Sequence, residues 1–501
     1  MRTGLLSGAA AGSAHAREPA PTSSHVLPRA EAARRHFVAV VMLIYLLLLF
    51  EGSLRKWVAP QLSLYVFFVR DPFVIYAYLL ATRYRLWPKR SPFVIACLAF
   101  AVLGFLIGGA QLMVADSSAT RVLLAMYGWR NYFLYAPLAF LIGAQFRYDD
   151  VLRVCRWTLL LSVPIAVLIT AQFFAPLDSP INVGFAAESS LRFLGLGLTG
   201  EHTRPMGTFS SGAGQIQFVA STFAMLLGLT IAPARQRGVG LWVLLVAAGG
   251  VATCLALGGS RAALLHCALI AVIGMALAVI GRGTALKLRS VVLPLALAGL
   301  FAVLYPVVYP EGFAAFASRW DAAATTENKT FEGGVFGRAL NGFVDFTRLW
   351  DRAPTLGYGL GMGGNASTTL GMKIEGSDPL SLAETDWARH VVDLGPVFGT
   401  GYIVFRVLLT LWLGIVVLKA TRRGAGALPL LLFAYAGYVL LMGQVTGQGA
   451  VNAYAWLFTG LCIAAASAAE RRAAPAPAVP TEGRVAALRR QLRAAQRRYA
   501  A

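Results

Sequence analysis

Charge is scarce in this chain. Asp, Glu, Lys and Arg make up 13% of its 501 residues while 57% are hydrophobic, and the mean hydropathy is +0.64. That excludes an ordinary soluble domain, in which about a quarter of the residues are charged. Acidic charge is scarcer still, because 23 Asp and Glu stand against 44 Lys and Arg for a net +21. Cysteine is limited to five residues: Cys97, Cys254, Cys267 and Cys462 fall within apolar runs and Cys155 at the edge of one, which excludes a framework of external disulfides. The apolar/polar alternation of a membrane β-barrel is missing. No cleavage-like site follows an apolar core near the start, so residues 1–35, rich in Ala, Ser and Pro, read as a disordered cytoplasmic tail rather than a signal peptide.

What the sequence does have is long apolar runs. They lie near residues 36–54, 62–82, 92–114, 122–146, 157–176, 214–232, 238–257, 262–280, 291–308, 394–418, 426–443 and 450–468. Most approach the roughly 20 residues that carry a helix across a bilayer, and lipid, which offers the backbone no hydrogen-bond partners, requires each run to be helical. The expected fold is all-α: a polytopic integral membrane helical bundle of about 12 transmembrane helices.

Basic residues give the orientation. Arg83, Arg85, Lys89 and Arg90 fill one connection, and Arg147, Arg153 and Arg156, then Arg235 and Arg237, then Arg282, Lys287 and Arg289, then Lys419, Arg422 and Arg423 fill every second one after it. Those connections are cytoplasmic by the positive-inside rule. Both termini fall on the same side, and the basic excess needs no nucleic acid to explain it. The expected organisation is helices 1–9 over 36–308 with an external loop at 177–213, a large periplasmic loop at 309–393 between helices 9 and 10, helices 10–12 over 394–468, and a basic cytoplasmic tail at 469–501. That tail either lies against the anionic lipids of the inner leaflet or forms a solvated helix.

The chemistry is sought where charge meets apolar surroundings. Arg70 and Asp71 stand within the second run, Arg130 within the fourth, and Arg261 in SRAALL at a break between two runs. Charge inside a membrane is expensive and marks function by default. The alternatives are a neighbouring Arg70–Asp71 pair beside a kink at Pro72, and snorkelling of Arg130 and Arg261 to the outer interface. With Arg204 and Arg338, four arginines face the external compartment, and planar guanidinium groups suit a diphosphate. The large loop ends in AETDWARHVVDLG, which carries Glu384, Asp386, Arg389, His390 and Asp393. Glu384 or His390 is the candidate general base, although Ser381 and Glu384 also read as a helix capping box. Gly359, Gly361 and Gly364 in GYGLGMGG match GxGxxG formally, but an external loop is no place for a dinucleotide, and a flexible turn after Pro354 is the better reading.

Arg261 and Leu265 in SRAALL, PTLGYGLG in the long loop, and Gly395 and Gly399 in VDLGPVFG resemble motifs of the bacterial O-antigen ligases and O-antigen polymerases. The ligases place a histidine eleven residues before the first glycine of that last run; here the position is Glu384, and His390 stands six residues on. The departure favours a polymerase. The resemblance implies an inverting glycosyltransferase at the periplasmic face of the bacterial inner membrane, acting in lipopolysaccharide or exopolysaccharide synthesis. Its donor would be an undecaprenyl-diphosphate-linked oligosaccharide, its acceptor a glycan or the lipid A core, and other polysaccharide-assembly membrane proteins would be its neighbours. No cofactor and no metal is implied. Catalysis would fall to Glu384 or His390 with Arg261, and substrate binding to Arg204, Arg338, Arg130, Arg70 and Arg389. The competing expectation is a transporter or flippase of a lipid-linked or anionic solute, resting on Arg70, Asp71, Pro137 and Pro164. A non-catalytic scaffold of an envelope-synthesis complex is the third.

Overall fold

The computed structural model describes residues 29–473 except 90, 115–117, 184–194, 197–201, 281–283, 328–334 and 375–382. Its helices are α1 (Arg29–Ser53), α2 (Asp71–Arg83), α3 (Pro92–Val114), α4 (Ala119–Trp129), α5 (Ala136–Gln145), α6 (Tyr148–Phe174), α7 (Gly212–Ile231), α8 (Leu241–Leu257), α9 (Arg261–Ile280), α10 (Thr284–Val308), α11 (Pro310–Glu327), α12 (Val335–Val344), α13 (Asp386–Arg422), α14 (Leu428–Met442) and α15 (Gly449–Ala473). Among the described residues the only strands are β1 (Gly195–Leu196) and β2 (His202–Thr203), paired antiparallel with Gly195 opposite Thr203. Among the described residues eight helices are long and apolar enough to cross a membrane, and α8 and α14 are shorter apolar ones. The chain is an all-α helical membrane protein.

Two of the apolar runs are broken. In the second, a short helix Ser63–Val66 gives way to a turn, and α2 starts at Asp71 with Pro72 in its first turn, where a missing backbone N–H costs nothing. In the fourth, a π-turn over Arg130–Leu134 separates α4 from α5, and Pro137 again opens the new helix. Both breaks bring ionisable residues into the bundle.

The central helix is α15, 94% of whose apolar window is buried, whereas only 11% of the window in α10 is. Small residues let α15 close on its neighbours, as helices do where water supplies no driving force. A Cβ added at Gly460 would lie 2.7 Å from Ile142 Cβ and 2.8 Å from the Ala139 carbonyl oxygen of α5. The bundle has a basic end and a loop end. At the basic end α1 begins at Arg29, within the stretch read as tail, and Glu31 in its first turn accepts hydrogen bonds from Arg34 and Arg35. Arg34 is drawn inward to Asp150 of α6 at 2.7 Å instead of snorkelling outward. The loop end carries the connections 175–211 and 309–385, and the second of these holds α11, α12, a 3-10 turn Asp345–Leu349 and a short helix Asn365–Thr369.

Helix α13 is two helices joined at Gly395, whose φ of 80° and ψ of 170° are not helical. The Pro396 ring disfavours a helical conformation at the residue before it, and only glycine takes that positive φ without strain. The short segment Asp386–Leu394 thus folds back on the long one, so closely that a Cβ at Gly399 would overlap the His390 carbonyl. A Gly395→Ala substitution adds backbone strain of about 1–3 kcal/mol and drives a methyl into the Thr355 carbonyl. The expected result is a lower thermal unfolding midpoint of the detergent-purified protein than Ala substitution at Gly249 of α8, where a Cβ meets nothing within 4 Å.

Candidate functional site

The ionisable residues of the folded-back segment form a buried knot. Asp386, Arg389, His390 and Asp393 are each at most 4% exposed, and Arg406, on the long segment of α13 beyond Gly395, is fully buried against them. Arg406 binds Asp386 through Nη1, and the same nitrogen lies 2.7 Å from His390 Nε2. Arginine only donates, so Nε2 accepts and the imidazole proton sits on Nδ1. Nδ1 is 3.0 Å from the Tyr132 hydroxyl, which donates to Asp393 Oδ2 at 3.0 Å, and Asp393 Oδ1 accepts from the Gly363 backbone N–H at 2.7 Å. Asp386 also accepts from the backbone N–H groups of Val445 and Thr446 at 3.1 and 3.2 Å and from the Thr446 hydroxyl at 3.0 Å. Two guanidinium groups and two carboxylates thus surround one neutral imidazole. A buried ionic cluster depends on such pairing and hydrogen bonding; one nitrogen here, Arg389 Nη1, is buried 3.9 Å from Asp386 Oδ1 without a hydrogen-bond partner. His390 has no exposure, and both its ring nitrogens are engaged. Arg389 likewise turns inward, donating from Nε to the Ala383 carbonyl at 3.1 Å.

The glycine-rich stretch packs on this knot as an ordered turn. Gly357, Gly359 and Gly361 all have positive φ, and a Cβ at Gly361 would lie 3.3 Å from the Cα of Gly128 on α4. Gln111 of α3 clamps it: its amide nitrogen donates to the carbonyls of Leu356 and Asp393 at 2.5 and 2.8 Å, and its oxygen accepts from Leu360 N–H at 2.9 Å. The turn is structural.

Arg70 and Asp71 do not pair with each other. Arg70, fully buried, meets Glu51 of α1 at 2.9 Å. Asp71 takes a two-pronged ion pair from Arg130, at 2.6 and 2.9 Å, and a hydrogen bond from Tyr135 at 2.8 Å. Arg55 joins them, 3.4 Å from Glu51, and Arg55 and Arg130 both lie against the Phe67 ring, 5.1 and 4.9 Å from its centre. Arg130 is therefore a buried member of this cluster. Three guanidinium groups face two carboxylates, and Arg70 Nη1 is buried without a hydrogen-bond partner.

Other arginines lie at the loop end. Arg204 is partly buried against Gly212 at the start of α7, with its Nη2 3.4 Å from where a Gly212 Cβ would be, and burial pushes its pKa below the usual guanidinium value. Arg261 opens α9, 5.9 Å from the Trp320 ring of α11. Arg338 lies on α12, and its side chain is outside the described residues, as is Ser381. Helix α13 takes its cap from Thr385, whose hydroxyl accepts from Ala388 N–H at 3.2 Å, so Glu384 is not needed there.

Glu384 is exposed and lines a cavity of about 530 Å³ at the loop end, together with Asn341, Asp345, Arg348, Trp387, Met442 and Gln444. Asp345 lies 3.9 Å from Arg348. Its carboxyl is raised above the ordinary range, chiefly by burial, with Arg348 opposing and the Glu384 charge adding to the shift. The cavity borders the loop-end tip of α14, and α14 is bonded to α9 through Tyr438 and His266 at 2.5 Å. Arg261 and Met442 lie toward the loop end of those two helices from that pair.

Sequence reasoning missed Arg406, Glu51 and Asp345. Arg406 sits in GYIVFRVLL and Glu51 in LLLFEGS, so a stricter search for charge inside apolar runs finds both. Asp345 carries no such signal. Compared with known protein families and with curated proteins, the chain matches none. An acid whose pKa is raised by folding costs stability once it ionises, so stability falls as pH climbs through the ordinary carboxylate value and on to the folded one. Asp345→Asn is expected to raise the unfolding midpoint at pH 7–8 and to leave it unchanged below about pH 3.5, checked by thermal unfolding in detergent across that range.

Proposed function

We propose that the chain is a membrane glycosyltransferase that polymerises, or ligates to an acceptor, glycans carried on a polyprenyl diphosphate. In this reading it crosses the bacterial inner membrane about twelve times, each of the two broken runs making one crossing, with the basic end and both termini in the cytoplasm and the loop end in the periplasm. The observation that carries the proposal is the cavity at the loop end in which Glu384 is accessible beside Asp345 and Arg348, while His390 is sealed in a structural knot.

Glu384 takes the proton from an acceptor hydroxyl. The freed oxygen pair forms the new bond to the anomeric carbon from the face opposite the diphosphate, the bond from that carbon to the diphosphate oxygen breaks, and its electron pair departs with the diphosphate, so configuration inverts. Arg204 and Arg261, both at the loop end, supply fixed positive charge for the leaving group. Arg338 on α12 is a further member of that set.

Transport of an anionic solute is the second reading, favoured by the two broken helices and by the unpartnered buried Nη1 of Arg70. One experiment separates the two. In a strain lacking this chain, the wild type should restore the surface-glycan ladder on a gel, whereas Glu384→Gln at equal protein level should leave single-unit products, or full-length chains stranded on carrier lipid if the enzyme is a ligase. A loss of at least about 10²-fold is expected for a general base. A ladder fully restored by Glu384→Gln refutes the glycosyltransferase, and lipid-linked units accumulating on the inner leaflet in an Arg70→Ala strain establish the transporter.

A further inference from the structure

The cavity around Glu384 has the wrong charge for a diphosphate. Among the described residues, two carboxylates, Asp345 and Glu384, face one guanidinium, that of Arg348, and the other walls are Asn341, Gly342, Thr385, Trp387, Leu441, Met442 and Gln444, with Asp386 already bound to Arg406. A group carrying two or more negative charges is repelled there. What the walls do offer is the equipment for a sugar ring. Trp387 is half-buried at the cavity wall. Its indole N–H is spent on the Leu441 carbonyl at 2.9 Å, and the rings of Phe343 and Phe346 stand nearly at right angles to it, centres 5.0 and 5.9 Å away. The indole is thereby locked in place, and a fixed aromatic plane offers contact area at little entropic cost. Asn341, partly buried in the same wall, makes no side-chain hydrogen bond among the described residues, so its amide is left to donate and accept. At 530 Å³ the space lies in the range of small-molecule sites, about 300–1,000 Å³.

We infer that this cavity is the acceptor subsite: it binds an uncharged sugar ring against Trp387, with the Asn341 amide bonding its hydroxyls, and excludes acidic sugars and the donor diphosphate. The inference rests on the glycosyltransferase reading and deepens it, assigning the two substrates to different places. The acceptor hydroxyl lies among the acids, and the donor's charge lies with Arg204 and Arg261, which do not line the cavity.

The test is direct binding to the purified full-length protein in detergent, read by quenching of tryptophan fluorescence and by calorimetry. The probes are tri-N-acetylchitotriose, which is neutral, and trigalacturonate, which is acidic. The neutral trimer should bind and the acidic trimer should not. Trp387→Ala should abolish binding, and Trp387→Phe, which keeps a ring and its packing, should retain most of it. Asn341→Ala should weaken binding about tenfold, one hydrogen bond's worth, at an unchanged unfolding midpoint. Equal binding of the acidic trimer, or unaltered affinity in both Trp387→Ala and Asn341→Ala, overturns the subsite. Absence of sugar binding alongside a lost ladder in Glu384→Gln overturns the subsite while leaving the glycosyltransferase standing. A normal ladder in Glu384→Gln with sugar binding intact refutes the enzyme and leaves a carbohydrate-binding cavity.

Discussion

The ion pair between Arg406 and Asp386 is the constraint around which the loop end is organised. Both groups are withdrawn from solvent within an apolar bundle, where an unpaired charge costs several kcal/mol. Each therefore recruits neutral donors and acceptors until little capacity remains. Arg406 reaches His390 and the Leu440 carbonyl, and Asp386 gathers Val445 and Thr446. The result fixes the folded-back start of α13 to the connection between α14 and α15. Truncating either partner would strand the other.

That fixation also explains why two candidate proton acceptors in one short stretch end in different surroundings. The hydrogen-bond chain from Arg406 through His390 and Tyr132 to Asp393 points into the bundle. Glu384 precedes the Thr385 cap and lies outside the helix, so it projects into open space. The division of labour is between a knot that holds the backbone and a carboxylate that the knot holds in position.

The helical fold was readable because apolar runs of membrane-spanning length leave the backbone no other choice. Residues 383–395 were readable as unusual, since five ionisable side chains stand together there beside an apolar run. What could not be read was the partner set. Glu51 lies on α1, Arg70 and Asp71 at the start of α2 and Arg130 in the break between α4 and α5, and nothing in their spacing says that Arg70 passes over its neighbour Asp71 to reach Glu51. The break at Arg70–Asp71 was legible as charge beside Pro72, and that at Arg130–Leu134 as charge in the run that holds Pro137. The approach of Asp345 to Glu384 is set by a 3-10 turn in a long connection, where no periodicity exists to reveal it. The glycines of GYGLGMGG invited a flexible reading because sequence displays glycine's freedom and not the neighbouring backbone, here that of Gly128, which requires its smallness.

The clamp made by Gln111 joins positions 245 to 282 residues apart. Its α3 is synthesised long before the turn and the hinge that it grips. During biosynthesis the amide of Gln111 waits unmatched while most of the remaining chain emerges, so this clamp cannot close before Asp393 has been made. A chain cut short before Asp393 lacks this fastening.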